Sequence, residues 1–177
     1  MSQVFVSGHK SPDTDSIAAA LSYSYLKRRL GMDAVAVRAG EINKESRFAL
    51  DYFDLEEPIL VTSVARKNPE DEKQKVILVD HNESKQTIDG MDDAEVLEII
   101  DHHRFGDFES ENPIFILVRP VGCVNTVIYG LYKANHIKPS REIAGIMLSA
   151  IISDTVLFRS PTTTEEDKET AKELAEI

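Results

Sequence analysis

Two short apolar runs that end in acidic residues constrain the fold of this chain more than any other feature. Val76–Val79 is continuously apolar and stops at Asp80; Val96–Ile100 repeats the design and stops at Asp101-His102-His103. A run of this kind suits a strand buried on both faces, as strands are inside a parallel sheet. Around the two runs, strand and helix patterns alternate. Val4–Ser7, Ala34–Val37, Ile59–Val61 and Ile114–Val118 read as further strands. Helical spacing begins at Ser16, with Ile17, Ala20, Leu21, Ser24, Tyr25 and Leu26 in phase and Gly31 where a C-terminal cap belongs. Lys44–Phe53, Val124–Asn135 and Ser140–Ser153 also read as helices, the last apolar enough to lie deep in the core. Thr163 with Glu166 fits a capping box for a final helix running to Ile177, and Ala65–Lys75 reads as exposed loop. The alternation predicts an α/β fold, a doubly wound and mainly parallel sheet with helices on both faces, in one domain over residues 1–177.

Charge narrows the function. With 31 acidic against 20 basic residues the net charge is −11, which argues against a basic stripe for nucleic acid. The single cysteine, Cys123, allows no intrachain disulfide. Met1–Gly8 lacks the basic start and long apolar run of a secretory leader, and no stretch approaches the roughly 18 apolar residues of a membrane span. The expectation is a cytoplasmic protein without a membrane partner.

Four clusters of potential metal ligands lie far apart along the chain: His9/Asp13/Asp15, Asp80 with His81, Asp101-His102-His103, and Asp154. Three of them directly follow expected strands. In an open α/β sheet the carboxyl ends of the strands share one edge, where ligands bind, so these loops converge. Each cluster has a plainer reading: Asp13 and Asp15 suit the start of a helix, His9 suits a hydrogen-bonded loop, and Asp80 and Asp154 singly are ordinary loop residues. Adjacent histidines behind a buried strand are harder to explain by packing. Carboxylates mixed with imidazoles, without cysteine, favour Mn²⁺, with Co²⁺, Zn²⁺ or Mg²⁺ as alternatives. Two divalent ions roughly 3.5–4 Å apart would neutralise the carboxylates, with Asp80 placed to bridge them. His136, before a Lys-Pro turn and away from acidic residues, reads as surface.

Gly8-His9-Lys10-Ser11-Pro12-Asp13-Thr14-Asp15-Ser16, Asp80-His81-Asn82-Glu83, Asp101-His102-His103-Arg104 and Ser153-Asp154-Thr155 resemble the four motifs of the DHH phosphoesterase superfamily. Within it the chain is most similar to the family II, manganese-dependent inorganic pyrophosphatases. Asp13-Thr14-Asp15 stands where oligonucleotide-cleaving relatives usually carry Asp-Gly-Asp. The resemblance implies a DHH domain in which His9 and Asp13 hold one metal, Asp15, His102 and Asp154 the other, and Asp80 bridges. It implies that His103 faces the substrate phosphate and that Asp101 steadies the histidine loop. The implied reaction is hydrolysis of pyrophosphate to two orthophosphates by a metal-bridging water or hydroxide. The implied cofactors are two Mn²⁺, with Co²⁺ as substitute and Mg²⁺ accompanying the substrate.

The same resemblance implies a second, C-terminal domain bearing basic residues that clamp pyrophosphate. Lys10, Arg104 and Arg159 are the cations beside the motifs, Lys10 and Arg104 being the candidates for substrate contact. They are few for so charged an anion over an acidic site, so the expectation is a chain cut short and weakly active alone. Two alternatives stand beside this reading. One is a phosphodiesterase of the same superfamily acting on short oligonucleotides or cyclic dinucleotides, disfavoured by the absence of tryptophan and of a basic stripe. The other is a catalytically idle metal-binding or dimerisation module, and a homodimer is compatible with either.

Overall fold

The computed structural model describes residues 3–177, so the first two residues of Met1–Gly8 lie outside the described residues. Six strands, β1 (Val4–Ser7), β2 (Ala34–Arg38), β3 (Ile59–Leu60), β4 (Lys75–Val79), β5 (Glu95–Asp101) and β6 (Phe115–Val118), form one sheet. Their order is β3-β2-β1-β4-β5-β6, and every pairing is parallel. The chain winds outward from β1 in one direction and from β4 in the other. The crevice between β1 and β4 is the switch point at which ligands bind in such sheets.

Five α-helices accompany the sheet: α1 (Thr14–Arg29), α2 (Lys44–Tyr52), α3 (Val124–Ala134), α4 (Arg141–Asp154) and α5 (Glu165–Ala175). They share one core with Val4, Val6, Ala34, Ala36, Ile77, Val79 and Ile100, one alternating face of the strands. The opposite face, with Val37, Val76, Leu78 and Ile99, is covered by Val64, Ile88, Met91, Phe108 and Ile114 from the connecting segments. All five α-helices therefore pack on one face of the parallel sheet, rather than on both as expected. Right-handed crossovers put the β4–β5 and β5–β6 connections on this second face. There they form two 3-10 turns, Ser84–Gln86 and Met91–Asp93, and extended loop. Ile77 and Leu78, fully buried on opposite faces, each contribute about 1.5–3 kcal/mol of burial.

The local signals act as their chemistry requires. α1 stops where Gly31 takes φ +90°, a conformation glycine adopts without steric cost. The final helix departs from expectation in register. Its capping box is Thr164 with Asp167, one residue beyond Thr163 and Glu166, because Asp167 is drawn into bonds across the fold while Glu166 pairs with Arg119 at 2.6 and 2.7 Å. No helix among the described residues is long and apolar enough to cross a membrane.

Candidate metal centre

Four loops meet at the carboxyl edge of the sheet. His9 follows β1, Asp80 follows β4, His102 and His103 follow β5, and Asp154 ends α4. Asp13 is the N-cap of α1, its Oδ1 accepting from the Ser16 amide at 2.9 Å, and Asp15 lies in that helix's first turn. His9 Nε2 stands 3.7 Å from Asp13 Oδ1 and 3.4 Å from Asp80 Oδ2. On the other side of Asp80, His102 Nε2 stands 3.3 Å from Asp80 Oδ1, 3.6 Å from Asp15 Oδ2 and 3.7 Å from Asp154 Oδ2. The two oxygens of Asp80 thus face two separate donor groups, and its backbone holds φ +63° to present them.

These separations fit shared ions. Two donors about 2.1 Å from a common metal, at angles between about 90° and 120°, stand roughly 3.0–3.7 Å apart. The wiring of the histidines points the same way. His102 Nδ1 contacts the Val121 carbonyl at 3.0 Å, which makes Nδ1 the protonated nitrogen of the neutral ring and turns the Nε2 lone pair toward carboxylates. Both Asp80 oxygens and His102 Nε2 are buried without a hydrogen-bond partner. Polar atoms are seldom left so, and a lone pair facing carboxylate oxygens calls for a cation between them.

Titration behaviour shows how much negative charge is gathered here. Burial and the neighbouring Asp15 push the Asp154 carboxyl up to about 10. Burial and Asp15 also raise Asp80. Burial works against protonation of His9 and His102, but the bonds and charges of Asp80, with Asp13 beside His9 and Asp15 beside His102, carry both up to about 10. Without metal the cluster therefore holds protons; divalent cations neutralise the same carboxylates by displacing them. His81 behaves oppositely: its Nδ1 contacts the Val79 carbonyl at 2.9 Å, and burial pushes it down to about 4.

His103 sits differently from His102. It is half exposed, and its Nδ1 lies 2.9 Å from Asp101 Oδ1, leaving Nε2 as the free nitrogen. The bond to Asp101 raises its pKa. Asp101 is wholly buried beneath both histidines, accepting from the His102 amide at 2.7 Å and the His103 amide at 3.1 Å. Asn82 locks the arrangement by donating to Asp101 Oδ2 at 2.5 Å and to the Arg104 carbonyl at 3.0 Å, and by accepting from the Gly106 amide.

Several supporting groups carried no signal in the sequence. Asp15 accepts from the Val124 amide at 2.7 Å, from Asn125 Nδ2 at 2.6 Å and from the Cys123 thiol at 2.9 Å, so the start of α3 holds it. Burial and Asp15 keep that thiol protonated. Past Asp154, Val156, Leu157 and Phe158 all take positive φ of 50–61°. Such left-handed residues cost roughly 1–2 kcal/mol each. The turn is held by the Thr155 carbonyl, which accepts from the Arg159 and Ser160 amides at 2.9 and 2.8 Å.

The cations near the motifs are already engaged. Lys10 Nζ is 2.5 Å from Asp89, and Arg104 reaches Glu83 at 2.8 Å, both in exposed pairs. Arg159 is exposed and donates to the Val156 carbonyl at 3.1 Å. His136 is exposed, at the end of α3 and away from the cluster.

A family model described as the DHH family, N-terminal domain, matches residues 3–151. Over all 177 residues the chain is 52% identical to a "Probable manganese-dependent inorganic pyrophosphatase" of Exiguobacterium sp. and 53% identical to one of Bacillus licheniformis. It spans 56% of the length of each of these curated relatives. A crystal structure described as a "Methanococcus jannaschii putative family II inorganic pyrophosphatase" superposes with a TM-score of 0.88 at 43% identity, over 99% of this chain and 56% of that one. An exopolyphosphatase-related protein from Bacteroides fragilis, 20% identical, shares the fold with a TM-score of 0.71 over 98% of this chain and 52% of its own.

Proposed function

The chain belongs to the DHH family, and on that premise we propose that it forms the metal-binding part of a manganese-dependent inorganic pyrophosphatase. The observation that carries this reading is Asp80, buried and unpartnered, with one oxygen toward His9 and the other toward His102. His9, Asp13 and Asp80 would hold one Mn²⁺; Asp15, Asp80, His102 and Asp154 would hold the second. Co²⁺ would substitute, and Mg²⁺ would accompany the substrate. When bound, such a pair supplies Lewis-acid polarisation of phosphoryl oxygens and lowers the pKa of water.

The remaining work falls to the chain's own groups. His103 is the residue placed to touch substrate: Asp101 fixes its Nδ1, and the same bond raises its pKa, favouring the ring form whose Nε2–H can donate to a phosphate oxygen. Lys10 and Arg104 are held by Asp89 and Glu83, so a substrate phosphate would compete with those carboxylates for them. Exposed pairs of this kind are screened by water, so a phosphate oxygen displaces the carboxylate at small cost. The named relatives are almost twice as long, and turnover by these 177 residues alone is expected to be weak.

Phosphate release from pyrophosphate and cleavage of a short RNA, measured side by side on the Mn²⁺-loaded chain, test the reading. Pyrophosphate should be the preferred substrate. Faster cleavage of RNA would transfer the assignment to the phosphodiesterases, and binding of two ions with no turnover of either would leave a metal-binding module.

A further inference from the structure

Helix α5 supplies none of the candidate ligands, yet one of its carboxylates is among the most engaged in the protein. Asp167 is fully buried. It accepts from the Thr164 amide and hydroxyl, both at 2.7 Å, which completes the capping box of its own helix. It also accepts from the Gly122 amide at 2.9 Å and the Thr126 hydroxyl at 2.6 Å, at the start of α3. A residue serving only as a helix cap has no need of the second pair. Residues 121–126 are where the second donor group gets its support: the Val121 carbonyl orients His102, and the Val124 amide and the Cys123 and Asn125 side chains hold Asp15.

Packing ties in the remaining ligand. A Cβ at Gly122 would lie 2.9 Å from Asp167 Oδ2 and 2.9 Å from Thr155 Cγ2, and Thr155 follows Asp154. Cys123, the N-cap of α3, makes no side-chain capping bond. The start of that helix is capped instead from outside by Asp15 of α1, which accepts from the Val124 amide at 2.7 Å and the Asn125 amide at 3.3 Å. Asp167 of α5 braces the same turn from either side of the cap, through the Gly122 amide before it and the Thr126 hydroxyl after it.

We infer that Asp167 is a positioning residue for the second metal position, holding residues 121–126 so that His102 and Asp15 keep their places. The inference rests on the two-metal reading above. It predicts a selective defect. In Asp167→Ala the second Mn²⁺ should bind about 10–100-fold more weakly, as with other groups that orient metal ligands, while the first binds as before. Mn²⁺ titration by calorimetry reads both affinities without turnover. Electron paramagnetic resonance reads the same change as the signal of a coupled pair giving way to that of an isolated ion.

Leu174→Ala separates positioning from general stability. It removes a buried side chain from the same helix, should lower the melting temperature, and should leave both affinities unchanged. Thr126→Val deletes only the hydroxyl bond to Asp167 and carries the test if Asp167→Ala does not fold; it should weaken the second ion several-fold. The inference is overturned if the Asp167→Ala and Thr126→Val chains keep second-site affinity within about twofold of the parent. It is equally overturned if Leu174→Ala weakens that site as much as they do. A parent chain that binds no second ion would instead bring down the two-metal reading itself.

Discussion

The two donor groups that share Asp80 are built in opposite ways. His9 and Asp13 stand four positions apart on one loop, and Asp13 is half exposed and fixed chiefly by its bond to the Ser16 amide. Asp15, His102 and Asp154 come from α1, the β5 end and α4, and their supports lie on α3 and α5. The first group is mostly local geometry. The second exists only when the tertiary fold does. A mutation far from the metals should therefore reach the second position and spare the first, and a local change should do the reverse.

The largest effect expected is at the shared residue. Asp80→Asn keeps a side chain that tolerates φ +63° but replaces one donor oxygen by an amide and removes the charge. Both ions should weaken, the one that meets the amide nitrogen by about 100-fold or more and the other by less, since one loses a ligand and both lose the charge that offsets their own. Calorimetric titration showing one site intact would mean that Asp80 serves a single ion and that the two groups are independent.

The adjacent histidines should then divide. His102→Gln should weaken the second ion by about 10–100-fold and leave the first nearly as it was. His103→Gln should leave both ions in place and cut any turnover of pyrophosphate by roughly 10²–10³-fold, the usual scale for losing a donor to a developing charge. Equal metal loss in the two variants would show that His103 is a ligand too.

The same contrast between local and tertiary determination explains what the sequence disclosed. Parallel strands end on one edge, so the ligand-type residues that directly follow them, His9, Asp80 and His102, could be grouped before their contacts were known, whereas Asp154 ends a helix and has no such positional warrant. Thr163/Glu166 and Thr164/Asp167 fit the same capping pattern one residue apart, and only contacts with Arg119, Gly122 and Thr126 decide between them. The grip of Asn82 on Asp101, and of Asn125 on Asp15, joins residues remote in sequence without a recurring spacing to announce it. The pairing of Lys10 with Asp89 and of Arg104 with Glu83 was illegible for the same reason, since the fold brings them together. The thin cover on the second sheet face follows from connections that leave room for 3-10 turns, a matter of chain length rather than of apolar pattern.

A pH series without metal sharpens the comparison at moderate scale. In the folded, metal-free chain His9, His102 and Asp154 keep protons up to about 10. The unfolded chain has lost them once pH exceeds the ordinary histidine value near 6.5. Between those limits the folded state binds more protons, so stability falls as pH rises, by about 1.4 kcal/mol per pH unit for each extra proton held. His81, pushed down to about 4, is neutral in both states over this window and adds no slope. Saturating Mn²⁺ should flatten the decline and raise the melting temperature, because ions replace the protons and bind the folded state alone. A metal-free melting temperature that stays level from pH 7 to 9 would contradict the crowding of charge described for the cluster.

The smallest effect should come from Asp13, which combines two roles in the local group. As N-cap of α1 it accepts from the Ser16 amide, and as a candidate ligand it faces His9. Asp13→Asn keeps an oxygen for the cap, since asparagine caps helices about as well as aspartate, but removes the charge that faces the ion. Metal-free stability should therefore change by only a few tenths of a kcal/mol, while the first ion weakens and the second does not. Asp13→Ala should weaken the first ion at least as much and also cost about 1 kcal/mol of metal-free stability, the usual scale of a lost cap. Because α1 also carries Asp15, a frayed start of the helix could disturb both positions in the alanine variant. The asparagine variant keeps the helix start intact and so isolates the ligand role. Chemical denaturation without metal, paired with Mn²⁺ titration of each variant, separates the two contributions. If Asp13→Asn weakens the second ion as strongly as the first, then α1 couples the positions rigidly and the first group is not local after all.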